Sequence, residues 1–232
     1  MKKEIYFNEI NLLMGSGGIV YLPFVSGVLS SYIKTSKFLK NKIKVMPFIF
    51  IPDTVDNLIK KYNNPSVAAF SISMWNEQIS LKLAKKVKQL FPNCLIIFGG
   101  PQCPHEPTDY MKNNKFIDIC VRAEGEEAFF EIMTRYISGG KNYDGIPNTA
   151  YRVNSGIVIN TEKPNYIKDL DIYPSPYLTG EYDYLLKNKK HNFHAIIETN
   201  RGCPFLCTFC YWGMGGNAQK YRFSGLETVF KE

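Results

Sequence analysis

Three cysteines lie at C-x-x-x-C-x-x-C spacing in the stretch Arg201-Gly-Cys203-Pro-Phe-Leu-Cys207-Thr-Phe-Cys210, directly after the apolar run Ala195-Ile196-Ile197. Gly202 and Pro204 keep this stretch out of regular helix or strand, so the thiolates can converge from a loop. Convergent thiolates suit a thiophilic centre, either an iron–sulfur cluster or zinc. Structural zinc takes four protein ligands, usually as two cysteine pairs. No second pair follows, and the nearby histidines are His191 and His194. Three ligands leave one metal position open, which suits a cluster whose fourth iron binds a substrate. Cys94, Cys103 and Cys120 have irregular spacing and read as buried, inert thiols.

The elements that must carry this loop follow from the chain in order. Residues 3–12 read as a first strand, and Met14-Gly-Ser-Gly-Gly18 as a glycine-rich turn. Phe24, Val28, Leu29 and Tyr32 recur at helical spacing over 22–33. Residues 42–51 form a second strand, near an edge because Pro47 interrupts it. Asp53 caps a helix over 54–62. Residues 66–73 and 94–98 are continuous apolar runs of the buried, parallel type. Between them, Ile79, Leu83, Val87 and Leu90 line one face of a helix over 76–91. A last strand over 116–121 leads to a helix over 125–137 that buries Phe129, Phe130, Met133 and Ile137.

Repeated alternation of strand and helix predicts an α/β fold, a Rossmann-like parallel sheet covered on both faces. Such a sheet binds ligands beyond the carboxyl ends of its strands. The loops there are 15–18, Ser71-Ile-Ser73-Met-Trp75, Gly99-Gly100 and Glu124-Gly-Glu126. Their glycines admit the close approach of a large flat or phosphate-bearing ligand, and equally serve as tight turns before helices. Glu126 and Glu127 suit the positive end of the helix that follows, at a few tenths to about 1 kcal/mol each. Glu124, on the strand end itself, is the candidate ligand contact. From residue 146 the pattern changes. Residues 148–153 and 157–161 flank Asn154-Ser-Gly156, a hairpin signal. The proline-rich Tyr173–Gly180 then passes between domains, and residues 193–199 form a first strand of the second domain. The cysteine loop stands at the carboxyl end of that strand, where barrel active sites are built.

At these residues the sequence resembles the radical SAM superfamily. That family's signature has this cysteine spacing with an aromatic before the third cysteine, the place of Phe209. The resemblance implies a [4Fe–4S] cluster on Cys203, Cys207 and Cys210, and S-adenosylmethionine chelated at the fourth iron, with Phe209 beside it. It also implies reductive cleavage of S-adenosylmethionine, with an external electron donor such as flavodoxin or ferredoxin. Residues 1–140 resemble the cobalamin-binding domain of one branch. Ser71-Ile-Ser73 matches its S-x-L/S element, Gly99-Gly100 its glycine pair, and Ala123-Glu-Gly-Glu126 its G-E-G-E, with alanine in place of the first glycine. The resemblance makes Ser71, Ser73, Gly99, Gly100 and Glu124 candidate cobalamin contacts. The branch's D-x-H-x-x-G element would follow the first strand, but Met14–Tyr21 contains no histidine. Cobalamin, if bound, is expected without a histidine on cobalt.

The expected organisation is a cobalamin-binding-like α/β domain over 1–145, a hairpin and proline-rich segment over 146–192, and the start of a radical SAM partial TIM barrel over 193–232. A full barrel needs roughly five more units of about 30 residues each, so the chain reads as the front portion of a longer enzyme. The leading reading is radical modification of an unactivated carbon, with methyl transfer if cobalamin takes part. A methylthiotransferase-like enzyme acting on RNA and a non-catalytic cobalamin- or nucleotide-binding module are the alternatives. No residue is assigned as a catalytic acid or base, and the substrate class, small molecule or peptide, is open.

Bulk properties agree with a cytoplasmic protein holding reduced thiols. A hydrophobic content of 45% supports a sizeable core, yet no apolar run reaches membrane-spanning length. The net charge of +7 is spread along the chain, which argues against nucleic acid as a partner. Lys82, Lys85, Lys86 and Lys88 read as one solvated helix face.

Overall fold

The structure is a computed structural model that describes residues 1–14, 18–162, 166–187, 191–205, 207–210 and 221–232. Its centre is a sheet of seven strands. Five of them are parallel: β1 (Lys3–Asn8), β4 (Ile43–Val45), β5 (Pro65–Ser71), β6 (Leu95–Gly99) and β7 (Ile119–Val121). The hairpin of β8 (Thr149–Val153) and β9 (Gly156–Ile159) extends the same sheet, antiparallel to β7. The spatial order is β4-β1-β5-β6-β7-β8-β9.

The period of two in the strands sorts side chains between two cores. Ile5, Phe7, Val67, Ala69, Ile97 and Ile119 face one way, against α1 (Phe24–Ile33), α2 (Lys37–Lys42) and α6 (Glu126–Ile137). Tyr6, Ala68, Phe70, Ile96, Phe98 and Cys120 face the other, against α3 (Val55–Leu58), α4 (Glu77–Leu90) and α5 (Thr108–Asn113). Because β1 is followed by a helix on one face and β5 by a helix on the other, the winding reverses between these two neighbours. That reversal opens a crevice at their carboxyl ends.

Several elements differ from their sequence pattern. The first strand is shorter, and β2 (Leu13–Met14) pairs antiparallel with β3 (Ile19–Tyr21). Residues 15–17 of the glycine-rich turn lie outside the described residues. The helix after Asp53 starts from Thr54, whose side chain accepts from the Asn57 amide. It tightens after one turn into the 3-10 segment Ile59–Lys61. On α4, Leu83 and Val87 are buried, but Leu90 is half exposed because the helix ends there. Lys88 leaves the solvated face and binds Asp118 at 2.7 Å. Cys94, Cys103 and Cys120 are buried as expected, and burial pushes the Cys94 thiol up to about 12.

Glu9 fastens α1 to the end of β1. Its carboxylate accepts from the Ser26 amide at 2.7 Å and hydroxyl at 2.8 Å, serving as a distant cap. Burial lifts its pKa to about 7 against the pull of those donors. The folded chain therefore holds a proton that the unfolded chain has released between about pH 4.5 and 7. Stability should fall as pH rises through that window, by on the order of 3 kcal/mol. Urea unfolding at pH 5 and pH 7 reads this out, and Glu9→Gln should flatten the difference.

Candidate cofactor site

The carboxyl ends of β1 and β5 are held together by one buried side chain. Asn76, just before α4, donates from Nδ2 to the Ile10 carbonyl at 2.9 Å and the Ser71 carbonyl at 3.1 Å. Its Oδ1 accepts from the Ser73 amide at 2.8 Å. An asparagine before a helix reads in sequence as an N-cap, but here the side chain turns back and ties two strand ends. Around this knot, large apolar side chains stand in solvent: Leu12, Leu13, Met74 and Trp75, the last two 81% and 51% exposed. Exposed apolar surface gathered at a switch point marks a binding face.

Ser71 pairs with Gly99 across β5 and β6, and the Ile72 amide donates to the Gly99 carbonyl at 2.7 Å. Ser71, Ser73, Gly99 and Gly100 are thus one neighbourhood. The two glycines differ in what they permit. Gly100 has φ +104°, and a Cβ there would lie 2.6 Å from the Ile72 carbonyl oxygen, so the fold itself requires glycine. A Cβ at Gly99 would meet the Val121 carbonyl oxygen only at 3.4 Å. Gly99 is therefore the position at which an added side chain tests ligand approach.

The cysteine loop is built differently from its sequence pattern. The strand expected over 193–199 is three residues long, β10 (Asn192–His194), and adds in parallel to β3. His194 thereby stands beside Tyr21, with ring centroids 5.6 Å apart. A histidine does reach the neighbourhood of the loop that lacks one in sequence. Beyond it, β11 (Asn200–Arg201) pairs antiparallel with β12 (Arg222–Phe223), and this stem closes a loop that contains all three cysteines. Gly202, at φ +85°, turns the chain out of the stem. Cys203 and Cys210 are partly buried, Cys207 is exposed, and the Cys210 amide donates to the Cys207 carbonyl at 3.1 Å. Phe209 is 91% exposed. Among the described residues, no three His, Cys, Asp or Glu side chains are gathered closely enough to hold a metal ion. The thiols share a loop without forming a closed ligand set.

The stem is docked onto the first sheet by charge. Arg201 reaches Glu126 at 2.6 Å, Glu198 at 2.8 Å and Glu124 at 3.3 Å, with its guanidinium over the Tyr173 ring. Arg222 pairs with both carboxylate oxygens of Glu124 and donates to the Ile167 carbonyl at 2.7 Å. Burial by itself lowers the Arg201 pKa, but Glu126 and Glu198 outweigh it and raise it. Glu198 remains above the usual carboxylate range because burial outweighs its share of Arg201. Glu124, expected as a cobalamin contact, has its oxygens on two arginines. Glu126, expected to serve the helix end, is 7% exposed and bound to Arg201. Glu127 accepts from the Tyr32 hydroxyl at 2.5 Å. Sequence reading missed the network because its members lie far apart in the chain.

Ala123, which stands where the resembling motif has glycine, adopts φ +56°. A left-handed backbone costs an L-residue about 1–2 kcal/mol, partly offset by the greater flexibility of unfolded glycine. Ala123→Gly should raise stability by about 0.5–1 kcal/mol in denaturant unfolding.

Comparison with known proteins agrees with this layout. No family model matches the chain. It is 30% identical over 214 residues to the cobalamin-dependent radical SAM methyltransferase TokK of Streptomyces tokunonensis, across 91% of this chain and 30% of the relative. It is 29% identical over 214 residues to the 2-(S-pantetheinyl)-carbapenam-3-carboxylate methyltransferase of Streptantibioticus cattleyicolor, with the same coverage. The chain therefore spans about a third of the length of these curated relatives. The solved structure of the cobalamin-dependent S-adenosylmethionine radical enzyme OxsB, with aqua-cobalamin and S-adenosylmethionine bound, superposes with a TM-score of 0.72. That superposition covers 99% of this chain and 31% of OxsB at 18% identity, which bears on the fold. With its cysteine spacing, its doubly wound sheet and these relatives, the chain belongs to the radical SAM superfamily, in the branch whose members carry an amino-terminal cobalamin-binding-like domain.

Proposed function

We propose that this chain carries the cofactor-binding front of a cobalamin-dependent radical SAM methyltransferase. In this reading the first sheet, including the hairpin at 149–159 that was expected to belong to the connecting segment, holds cobalamin, residues 160–192 connect, and 193–232 begin the catalytic domain. The observation that supports it best is the docking of the cysteine-loop stem onto the sheet whose switch point presents Leu12, Leu13, Met74 and Trp75. The stem is held beyond the carboxyl end of β7 and the exposed apolar side chains follow those of β1 and β5, so both belong to the same edge of one sheet. When bound, the cluster and S-adenosylmethionine supply one-electron cleavage to a carbon radical, and cobalamin supplies a methyl carrier.

Cys203, Cys207 and Cys210 would hold the cluster. They are free thiols on one loop, a donor type that suits a thiophilic cluster. Phe209, exposed beside Cys210, would pack on S-adenosylmethionine. Ser71, Ser73 and Gly99 would face the nucleotide tail of cobalamin, with Gly100 shaping their loop. No residue of 14–21 supplies an imidazole to cobalt. Among the described residues no helix is long and apolar enough to cross a membrane. A reducing, cytoplasmic setting with a flavodoxin- or ferredoxin-type donor fits the thiols and the chemistry. The test is to load one preparation anaerobically with iron, sulfide and hydroxocobalamin. Stoichiometric uptake of both is expected, and uptake of neither would overturn the reading.

A further inference from the structure

We propose that Glu124 is a positioning residue, the anchor that fixes the cysteine loop over the strand ends of the first sheet. The inference rests on the assignment of the cluster to Cys203, Cys207 and Cys210. Arg201 opens the loop and Arg222 closes it, and the two are direct partners across the β11–β12 stem. Both guanidiniums converge on the one carboxylate of Glu124, at the start of α6. Cys203, Cys207 and Cys210 lie in sequence between these two anchored ends. The second fixing point is Glu126, bound to Arg201.

Burial gives these contacts their leverage. The side chains of Arg201, Arg222 and Glu126 are 12%, 8% and 9% exposed and that of Glu124 is 28% exposed, so salt screens these contacts less than fully exposed pairs. Removing the Glu124 carboxylate takes a charged partner from both ends of the loop at once. An arginine fork can hold two carboxylates at fixed angles, whereas a lysine acts as a point charge. Each loop end is thus held in direction as well as distance, the requirement for presenting thiols to a cofactor on the neighbouring face.

Hydrogen–deuterium exchange on the metal-free chain tests the anchor first. In Glu124→Gln the stem amides, including Ser224, which donates to the Thr199 carbonyl, should exchange about tenfold faster. The amides of β5 and β6 should change by less than about twofold. Should Glu124→Gln lose its fold, Arg222→Lys carries the test, with the same direction expected. Glu131→Gln, which breaks only the exposed pair with Arg135, should change nothing in the stem. The second readout follows anaerobic loading with iron and sulfide. A chelator should then remove iron from Glu124→Gln about fivefold faster than from the unmodified chain, because a loosened loop holds its thiolates in place less of the time. Unchanged stem exchange in both variants overturns the anchor. Faster stem exchange in chains that take up no iron supports the anchor and counts against the cluster assignment instead.

Discussion

Cys203→Ala, Cys207→Ala and Cys210→Ala are each expected to abolish cluster assembly. Anaerobic reconstitution of the unmodified chain should give about four irons and four sulfides with broad charge-transfer absorption, as a cubane cluster requires. Each single variant should fall below about one iron per chain, because two thiolates cannot hold a cubane whose fourth corner has no protein ligand. The expected equality of the three variants follows from the loop. All three cysteines lie between the paired ends of one stem, and none has a disulfide partner. Cys94→Ala is the contrasting case, since that thiol is buried and its pKa is pushed up to about 12 by burial. It should load iron normally. Tight uptake of one zinc that survives Cys207→Ala would contradict the assignment.

Trp75→Ala is expected to weaken cobalamin binding by about ten- to sixtyfold. Covering roughly 60–100 Å² of the indole with a corrin face is worth about 1.5–2.5 kcal/mol, and each 1.4 kcal/mol is about tenfold in affinity. The side chain is half exposed at the switch point, so its removal costs the fold little. Gly99→Val should weaken binding by a different route, by filling the space above the strand end, whereas Gly100 variants would disturb the Ile72 backbone first. His105→Ala should leave affinity unchanged. His194 is the informative control, because β10 brings it beside Tyr21. Reduction to Co(II) should show no nitrogen superhyperfine pattern that disappears in His194→Ala. Titration of hydroxocobalamin by its visible spectrum measures each affinity, and unaltered binding in Trp75→Ala would remove the exposed apolar face from the account.

The parts of this fold that sequence made legible are those fixed by local periodicity. Ala68 and Phe70 alternate with Val67 and Ala69 between two cores, so the run had to be a strand buried on both faces. Leu83 and Val87 recur at helical spacing and do line the core, while Leu90 falls at a fraying end. The hairpin at Asn154-Ser-Gly156 was equally local, but its membership in the first sheet was not, since pairing with β7 is a long-range choice. Short helices escaped for a related reason. Residues 37–42 and 108–113 bury one side chain each, Leu39 and Met111, and so carry no period. At the site, cysteine spacing was readable because a metal demands it. The arginine–glutamate docking was invisible because Glu124 and Arg222 meet only after the chain has folded. The strand tie made by Asn76 was equally invisible, since its partners Ile10 and Ser71 come from other strand ends.

The most direct measurement is electron paramagnetic resonance of the reconstituted, dithionite-reduced chain with and without S-adenosylmethionine. A cluster held by three cysteines has one iron open to an added ligand. The spectrum should therefore be that of a reduced [4Fe–4S] centre whose g-values shift on addition of S-adenosylmethionine, with both signals absent in Cys203→Ala. A reduced cluster whose spectrum is unmoved by S-adenosylmethionine at saturating concentration would contradict the open fourth iron on which the account rests.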